Sequence, residues 1–113
     1  MADINRDTVL TALRRHIGKR NGLSARKLVR EIKGPDATER DERILRFVIV
    51  ELRNEGYHIG AHPRCGYFIC ETDAELNETC LYLHDRAMTT LTQISAMKNI
   101  SLPDLKGQLK LPT

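Results

Sequence analysis

The side chains best equipped for chemistry in this 113-residue chain are guanidinium, imidazole and thiol groups, and they cluster. Residues 14–46 hold eleven Lys or Arg against five acids, a local net of +6 in a chain whose overall charge is only +3. Residues 71–85 hold five acids and no Lys or Arg. Such polarity suits a molecule with one face toward a polyanion and another away from it. Arg40 and Arg43 stand three apart, one helical turn, and an arginine fork matches guanine O6/N7 or two phosphate oxygens. Ser24-Ala25-Arg26-Lys27 joins a helix-capping serine to two cations, so free backbone N–H groups and positive charge meet where a phosphate would sit. Thr38 heads the helix that carries Arg40 and Arg43. His62 and Arg64 lie in a turn from which they reach an anionic surface. A competing reading stands beside this one. Arg40, Arg43 and Arg46 interleave with Glu39, Asp41 and Glu42 at spacings that allow ordinary surface ion pairs. Arg14, Arg15, Lys19 and Arg20 crowd the end of the first helix, where cations suit the helix dipole without any ligand.

His58, His62, Cys65 and Cys70 are zinc-type donors, but their spacing matches no common knuckle or finger, so no metal is expected. Cys65 beside His62 lacks an orienting acid and a pocket. No Gly-rich phosphate loop, HExxH or GxSxG occurs, so neither enzymatic chemistry nor a cofactor is expected. Three cysteines without a CxxC pair argue against a disulfide framework and fit a reducing cytoplasm. The polar N-terminus does not read as a signal peptide, and no apolar run approaches the roughly 20 residues that span a bilayer. The expected location is therefore cytoplasmic, with no membrane partner.

Three helices and a hairpin must position these groups. The first helix is expected over 6–17, with Val9, Leu10, Leu13 and Ile17 on one face and Gly18 or Asn21-Gly22 as its stop. The second opens at Ser24 and ends before Gly34-Pro35. The third runs from Thr38 to Asn54, with Ile44, Val48, Leu52 and neighbouring Leu45 as its buried stripe and Gly56 as its stop. Phe47-Val48-Ile49-Val50 alone would suit a strand; the length of the periodic pattern favours helix. Residues 56–69 read as a β-hairpin, with Tyr57, Ile59, Tyr67 and Ile69 to one side and Phe68 and Cys70 to the other. Cys70 and Cys80 read as small buried side chains. From residue 73 a long helix begins, in which Leu76, Cys80, Leu83, Ala87, Thr90, Ile94 and Met97 recur at 4-3-4-3 spacing, with Leu91 beside them. This approaches a coiled-coil seam. It either packs on the core or pairs with a second copy, and the small aliphatic core favours a homodimer. A short turn is expected over 103–109.

A hairpin placed directly after the third of three helices resembles the wing of a winged helix-turn-helix domain, over residues 1–72. The whole chain is similar to small winged-helix proteins of bacteria and their phages. The likeness rests on Gly22-Leu23-Ser24-Ala25-Arg26-Lys27-Leu28, Glu51-Leu52-Arg53-Asn54-Glu55-Gly56 and Gly66-Tyr67-Phe68-Ile69. It extends to Leu83, Arg86, Ala87 and the ending Leu102-Pro103-Asp104-Leu105-Lys106-Gly107-Gln108-Leu109. The resemblance implies a mainly α fold with a small β-hairpin, followed by a dimerisation helix over 73–113. It implies binding of double-stranded DNA by a transcriptional regulator or replication accessory. Arg40 and Arg43 would read the groove, with Ser24, Arg26, Lys27, Thr38, His62 and Arg64 around them. Leu76, Cys80, Leu83, Ala87, Leu91 and Ile94 would form the dimer seam. The alternative is an adaptor that binds a replication or transcription protein. Lys33-Gly34-Pro35-Asp36-Ala37-Thr38-Glu39-Arg40-Asp41 makes the second connection longer and more acidic than the tight turn typical of the motif.

Overall fold

Asn5 starts the first helix by a reciprocal cap: its side chain accepts from the Thr8 N–H, and the Thr8 hydroxyl accepts from the Asn5 N–H, both at 3.0 Å. The structure, a computed structural model, describes residues 3–99, 101 and 103. The described elements are α1 (Arg6–Leu13), a single 3-10 turn (Lys19–Asn21), α2 (Ala25–Lys33), α3 (Glu39–Asn54), β1 (Ile59–His62), β2 (Gly66–Ile69) and α4 (Asp73–Lys98). Helix thus dominates, with one antiparallel hairpin in which Ile59 faces Ile69 and His62 faces Gly66. The turn expected over 103–109 lies outside the described residues apart from Pro103.

α1 is one turn shorter than its apolar spacing suggests, and Ile17 is exposed. The backbone there has better partners than a helix would supply. Ile69 N–H donates to the His16 carbonyl and Gly18 N–H to the Ile69 carbonyl, each at 2.8 Å. Leu23 and Tyr67 exchange both of their backbone hydrogen bonds, at 3.0 and 2.8 Å. The connection from α1 to α2 therefore lies along the free edge of β2 and covers it. Gly66 makes this possible: it sits at φ +81°, and a Cβ there would collide with the Leu23 carbonyl.

The core gathers Val9 and Leu13 from α1, Leu28 and Val29 from α2, Leu45, Ile49 and Leu52 from α3, and Ile59 from β1, all nearly or fully buried. The stripe of α3 is rotated from the expected one: Ile49 is buried and Ile44 is partly exposed. α3 ends as expected, with Gly56 at φ +102°. Arg53 Nε donates to the Ile59 carbonyl at 2.9 Å and ties that end to β1. Arg6 donates to Glu55 and lies over the Tyr57 ring, joining the start of α1 to the same corner.

Phe68 is buried on the hairpin face opposite Ile59, lying against Gly60. The start of α4 is anchored near the hairpin. Buried Thr79 accepts from the Ala61 N–H at 3.2 Å, and Lys19 pairs with Glu78 at 2.7 Å. Two compact units are present, Met1–Thr79 and Cys80–Thr113, so α4 begins in the first and continues in the second. Cys70 is half-buried and Cys80 is exposed, not the buried small side chains expected. No helix among the described residues is long and apolar enough to cross a membrane.

Candidate nucleic-acid interface

Ser24 caps α2: its side chain accepts from the Lys27 N–H at 3.2 Å. Arg26, Lys27 and Arg30 project from the exposed side of that helix. α2 and α3 are joined by residues 34–38, still longer than a tight turn, and Glu39, Arg40 and Asp41 belong to α3, as expected of a helix headed by Thr38. Thr38 is the cap of α3, and its hydroxyl and the Asp41 side chain close a reciprocal box.

Asp41 does not face an incoming anion. It is buried, accepts from the Thr38 N–H at 2.8 Å and pairs with Lys33 at 3.1 Å. The Thr38 N–H, with Lys33 as a further contributor, holds its carboxyl below the ordinary carboxylate range, against the opposing effect of burial. Of the three acids in the first turn of α3, Asp41 is thereby committed to the fold and Glu42 pairs with Arg46, while Glu39 stays exposed on the cleft.

The basic side chains divide sharply. Arg15 and His16 meet Glu31, Lys19 meets Glu78, Lys33 meets Asp41, and Arg46 meets Glu42 at 3.7 Å. Arg14, Arg20, Arg26, Lys27, Arg30, Arg40, Arg43 and Arg64 make no ion pair or side-chain hydrogen bond among the described residues, and five of these eight lie on α2 and α3. Of the interleaved pairs that the competing reading gave Arg40, Arg43 and Arg46, the described residues show the one at Arg46. Arg26, Arg30, Arg43 and Arg46 line one open cleft of about 590 Å³ between α2 and α3, with Glu39, Glu42 and Ala37 completing it. Four guanidinium groups against two carboxylates leave it net positive. Arg40 opens on the other side of α3, toward a second depression whose other charged residues are Lys33, Asp3, Asp36 and Asp41.

His62 closes the hairpin and Arg64 stands exposed in its turn, where the Arg64 N–H donates to His62 Nδ1 at 3.1 Å. That bond holds the imidazole toward its own loop. Among the described residues, no three His, Cys, Asp or Glu side chains gather into a group that would hold a metal. In the first unit Leu76 is half-buried. In the second, Leu83, Leu91 and Ile94 are half-buried, while Cys80 and Ala87 are exposed.

Two features escaped sequence reasoning. Arg30 joins Arg26 on the cleft, a pairing readable from their i, i+4 spacing on one helix face. Phe47 is 65% exposed and Val50 53%, both on the outward face of α3. Their helical phase, opposite Leu45 and Leu52, carries that signal. No family model, no curated protein and no solved structure matches the chain.

Proposed function

We propose that residues 1–72 form a winged helix-turn-helix domain that binds double-stranded DNA, as part of a transcriptional regulator or replication accessory. Several structural features support this reading. Three helices precede the hairpin, the connection between the first two lies along β2, and α3 exposes its arginine-bearing face. The single observation that carries the proposal is that Arg26, Lys27 and Arg30 of α2 and Arg40 and Arg43 of α3 have no ion-pair partner among the described residues. Arg26, Arg30, Arg43 and Arg46 outnumber Glu39 and Glu42 at the cleft, a surplus of positive charge that adds nothing to the fold and that a phosphate backbone would neutralise.

In this reading α3 enters the major groove, Ser24, Arg26, Lys27 and Arg30 hold one backbone strand, and Arg64 reaches the flanking phosphates. Thr38 positions α3 rather than contacting DNA, because its hydroxyl is occupied by the cap. The C-terminal helix pairs with its copy along Leu83, Ala87, Leu91 and Ile94, so that two domains address a two-fold symmetric site. Fluorescence anisotropy on random-sequence duplex, with the Arg40→Ala/Arg43→Ala variant beside the wild type, tests the proposal. Salt-sensitive binding that the variant loses supports it; absence of binding at low salt overturns it.

One observation favours a second reading. Phe47 and Val50 form an exposed apolar pair on the same helix face, as a protein-binding adaptor would. Binding to a replication or transcription protein that is indifferent to salt and lost on Phe47→Ala would select it.

A further inference from the structure

At 100° per residue, Arg43, Phe47 and Val50 fall within an arc of about 60° at the centre of the exposed face of α3. Arg40 flanks them on one side and Arg46 on the other. The run from Arg43 to Val50 is about 10 Å long at 1.5 Å per residue, the length of about three base-pair steps. Phe47 and Val50 are 65% and 53% exposed, so Arg43 shares the outward arc with an apolar pair, flanked by Arg40 on one side and by Glu39 and the Glu42-paired Arg46 on the other. Phosphates meet cations, and the base edges between them in the major groove present one apolar group, the thymine C5-methyl.

We infer that Phe47 is a specificity-determining residue that reads a thymine methyl, seconded by Val50, in a site where Arg43 takes a neighbouring guanine. This rests on the DNA-binding reading above and adds to it a sequence preference of stated chemistry. An aromatic ring laid on a methyl gains by excluding water from both, and the flanking guanidinium groups fix the helix so that the ring meets a base edge rather than solvent.

The test uses the full chain and a duplex selected from a random library by the wild-type protein. Each thymine of the selected site is replaced in turn by deoxyuridine, which removes the methyl and leaves base pairing unchanged. Wild type is expected to lose about fourfold in affinity at one or two positions, the worth of one buried methyl-sized group (about 0.8 kcal/mol). Phe47→Ala is expected to bind more weakly and to show no penalty at those positions. Its melting temperature stays at the wild-type value, because the ring is exposed. The inference is overturned if selection yields no preferred site, if no deoxyuridine position matters to wild type, or if Phe47→Ala keeps the penalty. Unchanged DNA binding by Phe47→Ala would instead assign the apolar pair to a protein partner. Wild type that fails to bind random duplex at low salt defeats the DNA-binding reading itself, so the two failures are distinguishable.

Discussion

Replacing Thr38 by Ala decides whether this residue serves the helix or the ligand. Its hydroxyl accepts from the Asp41 N–H at 3.3 Å and donates to the Asp41 carboxylate at 3.2 Å, while the Thr38 N–H donates to the same carboxylate at 2.8 Å. The substitution removes the first two contacts and keeps the third. Loss of a threonine cap costs about 1 kcal/mol, and for a domain of this size that lowers Tm by about 4–8 °C. Thr38→Ser, which keeps the hydroxyl, should recover most of the loss. Thermal unfolding followed by circular dichroism reads the effect, and DNA affinity measured well below Tm should be unchanged. A melting temperature within about 1 °C of wild type refutes the cap. A fall in affinity of the folded variant refutes the assignment of Thr38 to the fold. The same box has a pH signature. The Asp41 carboxyl is held below its ordinary value of 3.8 in the folded state, chiefly by the Thr38 N–H and further by Lys33. Its contribution to stability is therefore present above that value and disappears as pH falls through the folded one. Asp41→Asn should flatten the acid limb of the stability profile below about pH 4 and leave its shape at neutral pH unchanged.

Arg26→Gln with Arg30→Gln removes two unpartnered cations from the cleft; the slope of log affinity against log salt should become shallower by about 1.8, and an unchanged slope would separate these residues from phosphate contact. Gly66→Ala should destabilise the first unit by about 1–3 kcal/mol in chemical denaturation, since the new Cβ meets the Leu23 carbonyl at a positive φ; near-wild-type stability would show that the edge pairing with Tyr67 is dispensable. If α4 pairs with its copy as proposed, Leu83→Asp with Ile94→Asp should convert the chain from dimer to monomer by sedimentation, leaving the helix content of the first unit unchanged; a wild type that is monomeric at high concentration contradicts that proposal.

Much of the helical framework was readable from local rules. Ser24 and Thr38 declare helix starts because their side chains satisfy free N–H groups, and Gly56 declares a stop because it adopts a positive φ. What escaped was set by tertiary pairing. The apolar spacing through Ile17 continues a helix, and only the presence of β2 makes His16 and Gly18 better used as an edge segment. The phase of α3 slipped for a related reason: Ile44 and Ile49 are equally apolar, and the packing partners on α1 and α2 decide which is buried. At the candidate interface, the cations were legible as a group, but their pairing was not. Whether Arg43 or Arg46 meets a glutamate depends on side-chain placement along α3, and whether Asp41 opposes an anion depends on Lys33, eight residues away, folding back onto it.

The central claim is that the unpartnered cations of α2 and α3 serve a phosphate backbone. It is tested most directly by the affinity of the wild-type chain for a random-sequence duplex at 50 and 200 mM salt, read by fluorescence anisotropy. With about four phosphates neutralised, by Arg26, Lys27, Arg30 and Arg64, affinity should fall about a hundredfold across that interval. Absence of binding at the lower salt, or binding that the change leaves untouched, would contradict the account.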